Sequence, residues 1–164
     1  MKYEIRNALE SDAPLILQFI KELADYEKAP DQVSATLEDI RTSLFEDGAT
    51  AHALICESEK DAVGFAVYFY NYSTWQGKRG LYLEDLYITP EYRGKGAGGA
   101  LLKYLARKAL KDQCGRFEWS VLDWNEPAIG FYKSIGAVPK DGWIGYQLAG
   151  EALRAYGRME DDEL

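Results

Sequence analysis

The run Val63-Gly64-Phe65-Ala66-Val67-Tyr68-Phe69-Tyr70 is almost unbroken in apolarity. A short stretch of this kind predicts a central strand covered on both faces, not one that alternates between core and water. Such a strand needs a layer on each side of its sheet. The chain is therefore expected to be α/β, with helices on both faces of the sheet.

The flanking segments supply those layers. Lys2 to Asn7 predicts a first strand. Ser11 is placed as a helix cap, with Pro14 in the first turn of a helix that carries Leu15, Phe19 and Leu23, and Ile16 and Ile20, at helical spacing. Pro30 ends that segment, and a second helix is expected from about Thr36 to Phe45, stopped near Gly48. His52–Glu57 and Ala62–Tyr70 predict strands joined by the turn Ser58-Glu59-Lys60-Asp61, and Leu81–Ile88 a further strand ended by Thr89-Pro90. The glycine-rich stretch 94–99 opens a helix to about Asp112, and Phe117, Trp119 and Val121 alternate on a fifth strand. Glu126 to Ile135 reads as helix closed by Gly136, and Trp143 to Leu148 as a last strand. The expected order is β-α-α-β-β-β-α-β-α-β. With no repeat or linker in 164 residues, one domain is expected, ending in an acidic tail from about residue 158 that carries Glu160-Asp161-Asp162-Glu163.

Charge narrows the partners. A formal net charge of −8 repels the phosphate backbone, which argues against nucleic acid, and favours small cations instead. The longest strongly apolar stretch, Ala62 to Tyr70, is too short to span a bilayer, and MKYEIRNA carries no signal-peptide core, so no membrane and a cytoplasmic location are expected. Without an export signal, the sequon Asn71-Tyr72-Ser73 is expected to be idle. Cys56 and Cys114 have neither metal nor redox spacing and are expected as buried free thiols; no metal site is expected. His52, the single histidine, is expected to pack, not to catalyse. Lys103, Arg107 and Lys111 fall on one helix face and are expected in solvent.

Arg93-Gly94-Lys95-Gly96-Ala97-Gly98-Gly99 lies between a strand and a helix. Glycines there let successive N–H groups turn toward one anion, and the helix adds the positive end of its dipole. Arg93 and Lys95 add full charges, which suits a pyrophosphate. A purely structural helix entry packed with glycine is the competing reading. No P-loop spacing occurs, and the turn follows four strands, unlike a dinucleotide-binding fingerprint.

Just upstream, Leu81-Tyr82-Leu83-Glu84-Asp85-Leu86-Tyr87-Ile88 sets two adjacent carboxylates in an apolar strand. Neighbouring residues face opposite sides, so one carboxylate should point inward unless a bulge intervenes. They are either buried ion-pair partners or a base and an anchor for a cationic substrate. A primary amine, with a reference pKa of about 10.4, arrives charged and must lose a proton before it attacks. Downstream, Asn125 is placed as a helix cap with Pro127 in the first turn, and Tyr132 follows two turns later on the same face.

The string Tyr92-Arg93-Gly94-Lys95-Gly96-Ala97-Gly98 resembles the acetyl-CoA pyrophosphate loop of the GNAT superfamily of N-acetyltransferases, whose pattern is [RQ]-x-x-G-x-[GA]. Trp124-Asn125-Glu126-Pro127-Ala128-Ile129-Gly130-Phe131-Tyr132-Lys133 is similar to the family's N-x-x-A-x-x-x-Y segment, and Tyr82-Leu83-Glu84-Asp85 to its spermidine/spermine branch. The resemblance implies a GNAT fold: a mixed, mostly antiparallel sheet splayed at the acetyl-CoA site.

The resemblance also implies roles. Main-chain N–H groups of Leu86, Tyr87 and Ile88 would hold the thioester and pantetheine arm, and Arg93 to Gly99 the diphosphate, with Asn125 and Tyr132 completing the cofactor contacts. Glu84 would act as base through ordered water, and Tyr132 would protonate the departing thiolate. Tyr26, Glu27, Trp75, Glu84, Asp85, Asp141 and Trp143 would line the acceptor site. The implied activity is direct acetylation of a primary amine on a small cation, such as a thialysine-like amino acid, a diamine or a polyamine, by a homodimer. A protein or histone lysine acetyltransferase and a non-catalytic acyl-CoA sensor are the competing readings.

Overall fold

The computed structural model describes residues 2–159, which fall into two compact units that divide between Leu122 and Asp123. The acidic run Glu160 to Glu163 lies outside the described residues.

In the first unit the elements are β1 (Glu4–Asn7), α1 (Ala13–Tyr26), α2 (Leu37–Phe45), β2 (Ala51–Ser58), β3 (Asp61–Ser73), β4 (Lys78–Ile88), α3 (Ala97–Lys111) and β5 (Phe117–Trp119). The strands form one sheet in the order β1-β2-β3-β4-β5. Neighbours are antiparallel except β4 and β5, which are parallel. The apolar run does lie on the central strand, where Val63, Gly64, Phe65 and Ala66 are buried in succession.

Two helical layers account for that burial. On one face α1 presents Ala13, Ile16, Phe19 and Leu23 to Ala53, Ile55, Phe65 and Tyr87, with Ile40 of α2 in the same cluster. The Phe19 ring centroid lies 5.7 Å from that of Phe65 and 5.6 Å from that of Tyr87. On the other face Gly98 of α3 sits against Leu86 and Ile88, and Lys108 lies over the Tyr68 ring at 5.9 Å. Lys103, Arg107 and Lys111 are on the exposed side of α3.

Local chemistry explains the element ends. Asp12 rather than Ser11 precedes α1, because its carboxylate accepts from the Leu9 N–H at 2.7 Å while Arg6 pairs with it at 2.7 Å. Thr36 caps α2 in a reciprocal box with Asp39. Glu59 and Lys60 both take positive φ, 53° and 77°, as a two-residue hairpin turn requires. Gly64 has a close neighbour: a β-carbon there would come within 2.4 Å of the Tyr87 carbonyl oxygen and 2.5 Å of Ile88 Cδ1. Gly64→Ala is therefore expected to cost about 1–3 kcal/mol of stability, because the Tyr87 oxygen is main chain and cannot rotate away. Chemical denaturation with an unchanged midpoint would contradict this.

Two thiols were expected to be buried. Cys56 is, and burial pushes it up to about 11; Cys114 is only partly covered. His52 sits at an exposed position, its ring 5.2 Å from that of Tyr68.

The second unit contains α4 (Glu126–Ser134), closed by Gly136 at φ 87°, and α5 (Gly150–Gly157). The expected last strand, Trp143 to Leu148, is absent among the described residues. A strand exists through its ladder of hydrogen bonds, and these residues join none. Residues 143–149 take no regular structure, and the short helix α5 follows them.

Candidate active site

Three features of the first unit meet around the end of β4. The first is an open strand edge. β5 pairs with β4 only from Leu81 to Leu83, opposite Phe117 to Trp119, whereas β4 continues to Ile88. Beyond Leu83, the polar groups of β4 that face the β5 side have no ladder partner among the described residues. Unpaired main-chain donors along a strand can bind an extended amide-bearing chain as a further strand would.

The second is the glycine turn. Gly94 and Gly96 take φ of 70° and 92°, a region that strains other residues, and open space surrounds the position of a β-carbon at each. Gly96 precedes the first turn of α3 and no side chain caps it. The helix thus starts with its donors uncovered, as an anion site requires. Tyr3 Oη donates to the Lys95 carbonyl at 3.0 Å and tethers the turn to the N-terminal segment. Lys95 Nζ stands 5.6 Å from the centre of the Tyr92 ring. Arg93 turns the other way: its Nε donates to the Ile88 carbonyl at 2.8 Å, and its guanidinium lies 4.6 Å from the Tyr26 ring centre and 5.3 Å from that of Tyr87. This stack ties the turn to the end of α1. An open turn and an unpaired edge fit a diphosphate joined to an amide-bearing arm.

The third is a group of carboxylates. Val67 pairs with Asp85 and Tyr68 with Leu83, so Glu84 is an extra residue on β4 and forms a bulge. The bulge resets the alternation. Leu81 and Leu83 lie on the α3 face with Tyr70 and Tyr68, and Leu86 and Ile88 return to it, where they meet Gly98. Asp85 and Tyr87 therefore share the face covered by α1. Asp85 is partly buried and Glu84 exposed. Burial, with Glu84 and then Glu27 nearby, pushes Asp85 up to about 6. Burial alone raises Glu27. Among the described residues, none of Glu27, Glu84 and Asp85 has an ion-pair partner. Partly desolvated carboxylates without a cation attract one.

Tyr87 Oη donates to Glu22 Oε2 at 2.7 Å, and Glu22, Asp25, Tyr26, Tyr87 and Arg93 border a cleft of about 600 Å³. The sequence reading missed Glu22 as a neighbour of this region. Its position four residues before Tyr26, on the same helix face, was the available signal.

The remaining expected residues belong to other segments of the chain. Trp75 stands at the tip of the β3–β4 hairpin, nine residues from Glu84, and the stretch of β4 from Lys78 to Glu84 alone spans about 20 Å. Asn125, Tyr132, Asp141 and Trp143 belong to the second unit. There Asn125 caps α4, its side chain accepting from the Ala128 N–H at 3.4 Å, and Tyr132 lies in the same helix. Among the described residues, no group of three or more His, Cys, Asp or Glu is arranged to hold a metal ion, and no helix is long and apolar enough to cross a membrane.

An α/β sheet open along one strand end beside an uncapped glycine turn is an arrangement suited to a phosphorylated carrier. The profile of the Acetyltransferase (GNAT) family matches residues 16–137, and the chain belongs to that family. The family implies acetyl-CoA as co-substrate, and the activity is N-acetyl transfer. The chain is 41% identical over 161 residues to a thialysine N-epsilon-acetyltransferase of Sus scrofa, covering 92% of this chain and 94% of that protein. It is 33% identical over 157 residues to a protein of the same name from Caenorhabditis elegans, covering 94% and 96%. Among solved structures, an integron cassette protein from the mobile metagenome of V. cholerae superposes with a TM-score of 0.81 at 26% identity, over 97% of this chain and 99% of that one.

Proposed function

We propose that the chain moves the acetyl group of acetyl-CoA directly onto a primary amine of a small cation: a thialysine-like amino acid, a diamine or a polyamine. The observation that carries this reading is the placement of Glu84 and Asp85. They sit at the point where β4 leaves its ladder with β5, and among the described residues neither has an ion-pair partner. A cationic amine supplies the missing charge, and a carboxylate there removes the proton that blocks its attack.

Within this reading the main chain of Leu86, Tyr87 and Ile88 holds the thioester end. The turn from Arg93 through Gly94, Lys95, Gly96, Ala97 and Gly98 to Gly99 holds the diphosphate. Asn125 contacts the carrier arm, and Tyr132 gives a proton to the leaving sulfur. Tyr26, Glu27, Trp75, Asp141 and Trp143 are assigned to the acceptor, and the two units form one GNAT domain. On resemblance alone, a homodimer in the cytoplasm completes the picture.

A panel of amines with acetyl-CoA, scored by release of free CoA thiol, tests the proposal. Thialysine, diamines or polyamines are expected to be turned over at least tenfold faster than a neutral-bodied monoamine, because each carboxylate engages charge. Turnover of lysine peptides without turnover of any small amine would overturn the substrate class. Binding of acetyl-CoA with no turnover of any acceptor would overturn the enzyme.

A further inference from the structure

Tyr3 belongs to none of the segments assigned to the acceptor or the carrier, yet its hydroxyl reaches the glycine turn, 92 positions away. We infer that Tyr3 is a positioning residue for acetyl-CoA: its bond to the Lys95 carbonyl holds the Lys95–Gly96 peptide in the orientation that offers the Gly96 N–H to the diphosphate. This role rests on the acetyltransferase reading above and adds a residue to it.

The topology brings the two segments together. Glu4 pairs with Glu57 and Ile5 with Cys56, so β1 starts beside the end of β2. Cys56 in turn opposes Gly64, and Gly64 opposes Ile88, the last residue of β4. The start of β1 and the end of β4 therefore share one end of the sheet, and the glycine turn follows there. Arg6 anchors this strand, with Nε 2.8 Å from Glu57 Oε1 and Nη1 2.7 Å from Asp12 Oδ2. A side chain leaving an anchored strand is a fixed point, and Tyr3 Oη donates to the Lys95 oxygen at 3.0 Å.

Peptide geometry gives this contact its consequence. The Lys95–Gly96 bond is trans, so its C=O and N–H point in opposite directions. With the carbonyl turned to Tyr3, the Gly96 N–H points away from Tyr3. Among the described residues no hydrogen bond takes that N–H, whereas the Gly96 carbonyl accepts from Ala100 at 2.9 Å as α3 begins. An unmet donor at the head of a helix is what a phosphate oxygen engages.

The glycines make the orientation easy to lose. Gly94 and Gly96 take φ of 70° and 92°, with open space around both. Glycine passes through many backbone angles at little steric cost, so a peptide beside it turns over readily. Turned over, the 95–96 peptide would present its oxygen to the diphosphate and repel it. Arg93 secures the entry to the turn through the Ile88 carbonyl, at 2.8 Å, and Tyr3 secures its middle. A turn already set in its binding conformation loses less freedom when the carrier arrives.

Tyr3→Phe keeps the ring and removes the bond. Isothermal titration with CoA is expected to show Kd raised about 3–10-fold, the range of one neutral hydrogen bond. S-acetylpantetheine, which has no diphosphate, is expected to keep its kcat/KM within a factor of about two, as is the amine its KM. In the free protein, amide exchange should quicken in residues 93–99 while β1 keeps its wild-type rates. An unchanged CoA Kd overturns the inference. So does an equal loss with S-acetylpantetheine, or equal quickening in β1, since either places the disturbance outside the diphosphate turn. A wild-type protein that binds no CoA overturns this role and the acetyltransferase reading together. One that binds CoA but releases no thiol with any amine defeats only that reading, and the titration still decides the role of Tyr3.

Discussion

Replacing Tyr132 by phenylalanine is expected to lower kcat by about 10²–10⁴-fold while leaving the acetyl-CoA and amine KM values within a few fold. The substitution removes one hydroxyl and keeps the ring, so α4 retains its packing and Asn125 its cap on Ala128. On the proposed assignment, what disappears is the proton source for sulfur. A thiolate with a reference pKa near 8.5 can leave unaided, which bounds the effect below that of losing a base essential for attack. An unchanged kcat would remove Tyr132 from the chemistry.

The second large effect concerns the fold beneath the carboxylates. Phe19→Ala is expected to cost about 3–5 kcal/mol, because the ring is fully buried and touches both Phe65 and Tyr87. Its consequence should exceed general destabilisation. Phe19 is the contact by which α1 grips β3 and β4 together, and the same helix ends in Tyr26 and Glu27 beside Asp85 and Arg93. In protein that remains folded at low temperature, the amine KM should rise more than the acetyl-CoA KM. Denaturation at the wild-type midpoint, or equal changes in both constants, would contradict this coupling.

Much of the fold could be read from local pattern. Val63 to Tyr70 identified the central strand because burial on both faces leaves no polar residue in the run. The second helix was expected from about Thr36, and the Thr36–Asp39 cap that starts it is made within four residues. The features that escaped depend on distant partners. Nothing in Leu83-Glu84-Asp85-Leu86 says that Val67 and Tyr68 will oppose Asp85 and Leu83, yet that pairing makes the bulge and decides which carboxylate is sheltered. The stack of Arg93 between Tyr26 and Tyr87 joins residues up to 67 positions apart in sequence. Trp143 to Leu148 shows the converse error: a strand was expected there, but a strand needs a neighbour. Gly150 to Gly157 was passed over because a glycine at each end and only eight residues make a weak helical signal.

For the site, the sequence located the segments and left the geometry open. Arg93 to Gly98 announced an anion turn, and Gly94 and Gly96 do take left-handed conformations with space around them. The direction of the Arg93 side chain, toward Tyr26 and away from solvent-facing Lys95, was not legible, since it follows from where α1 ends.

The central claim is that acetyl-CoA occupies the unpaired edge of β4 and the glycine turn together. Amide hydrogen exchange with and without CoA tests it most directly. The expected result is slowed exchange in segments 84–88 and 93–99, with the β2–β3 ladder unchanged. Slowed exchange confined to other segments, under conditions where CoA is bound, would contradict the claim.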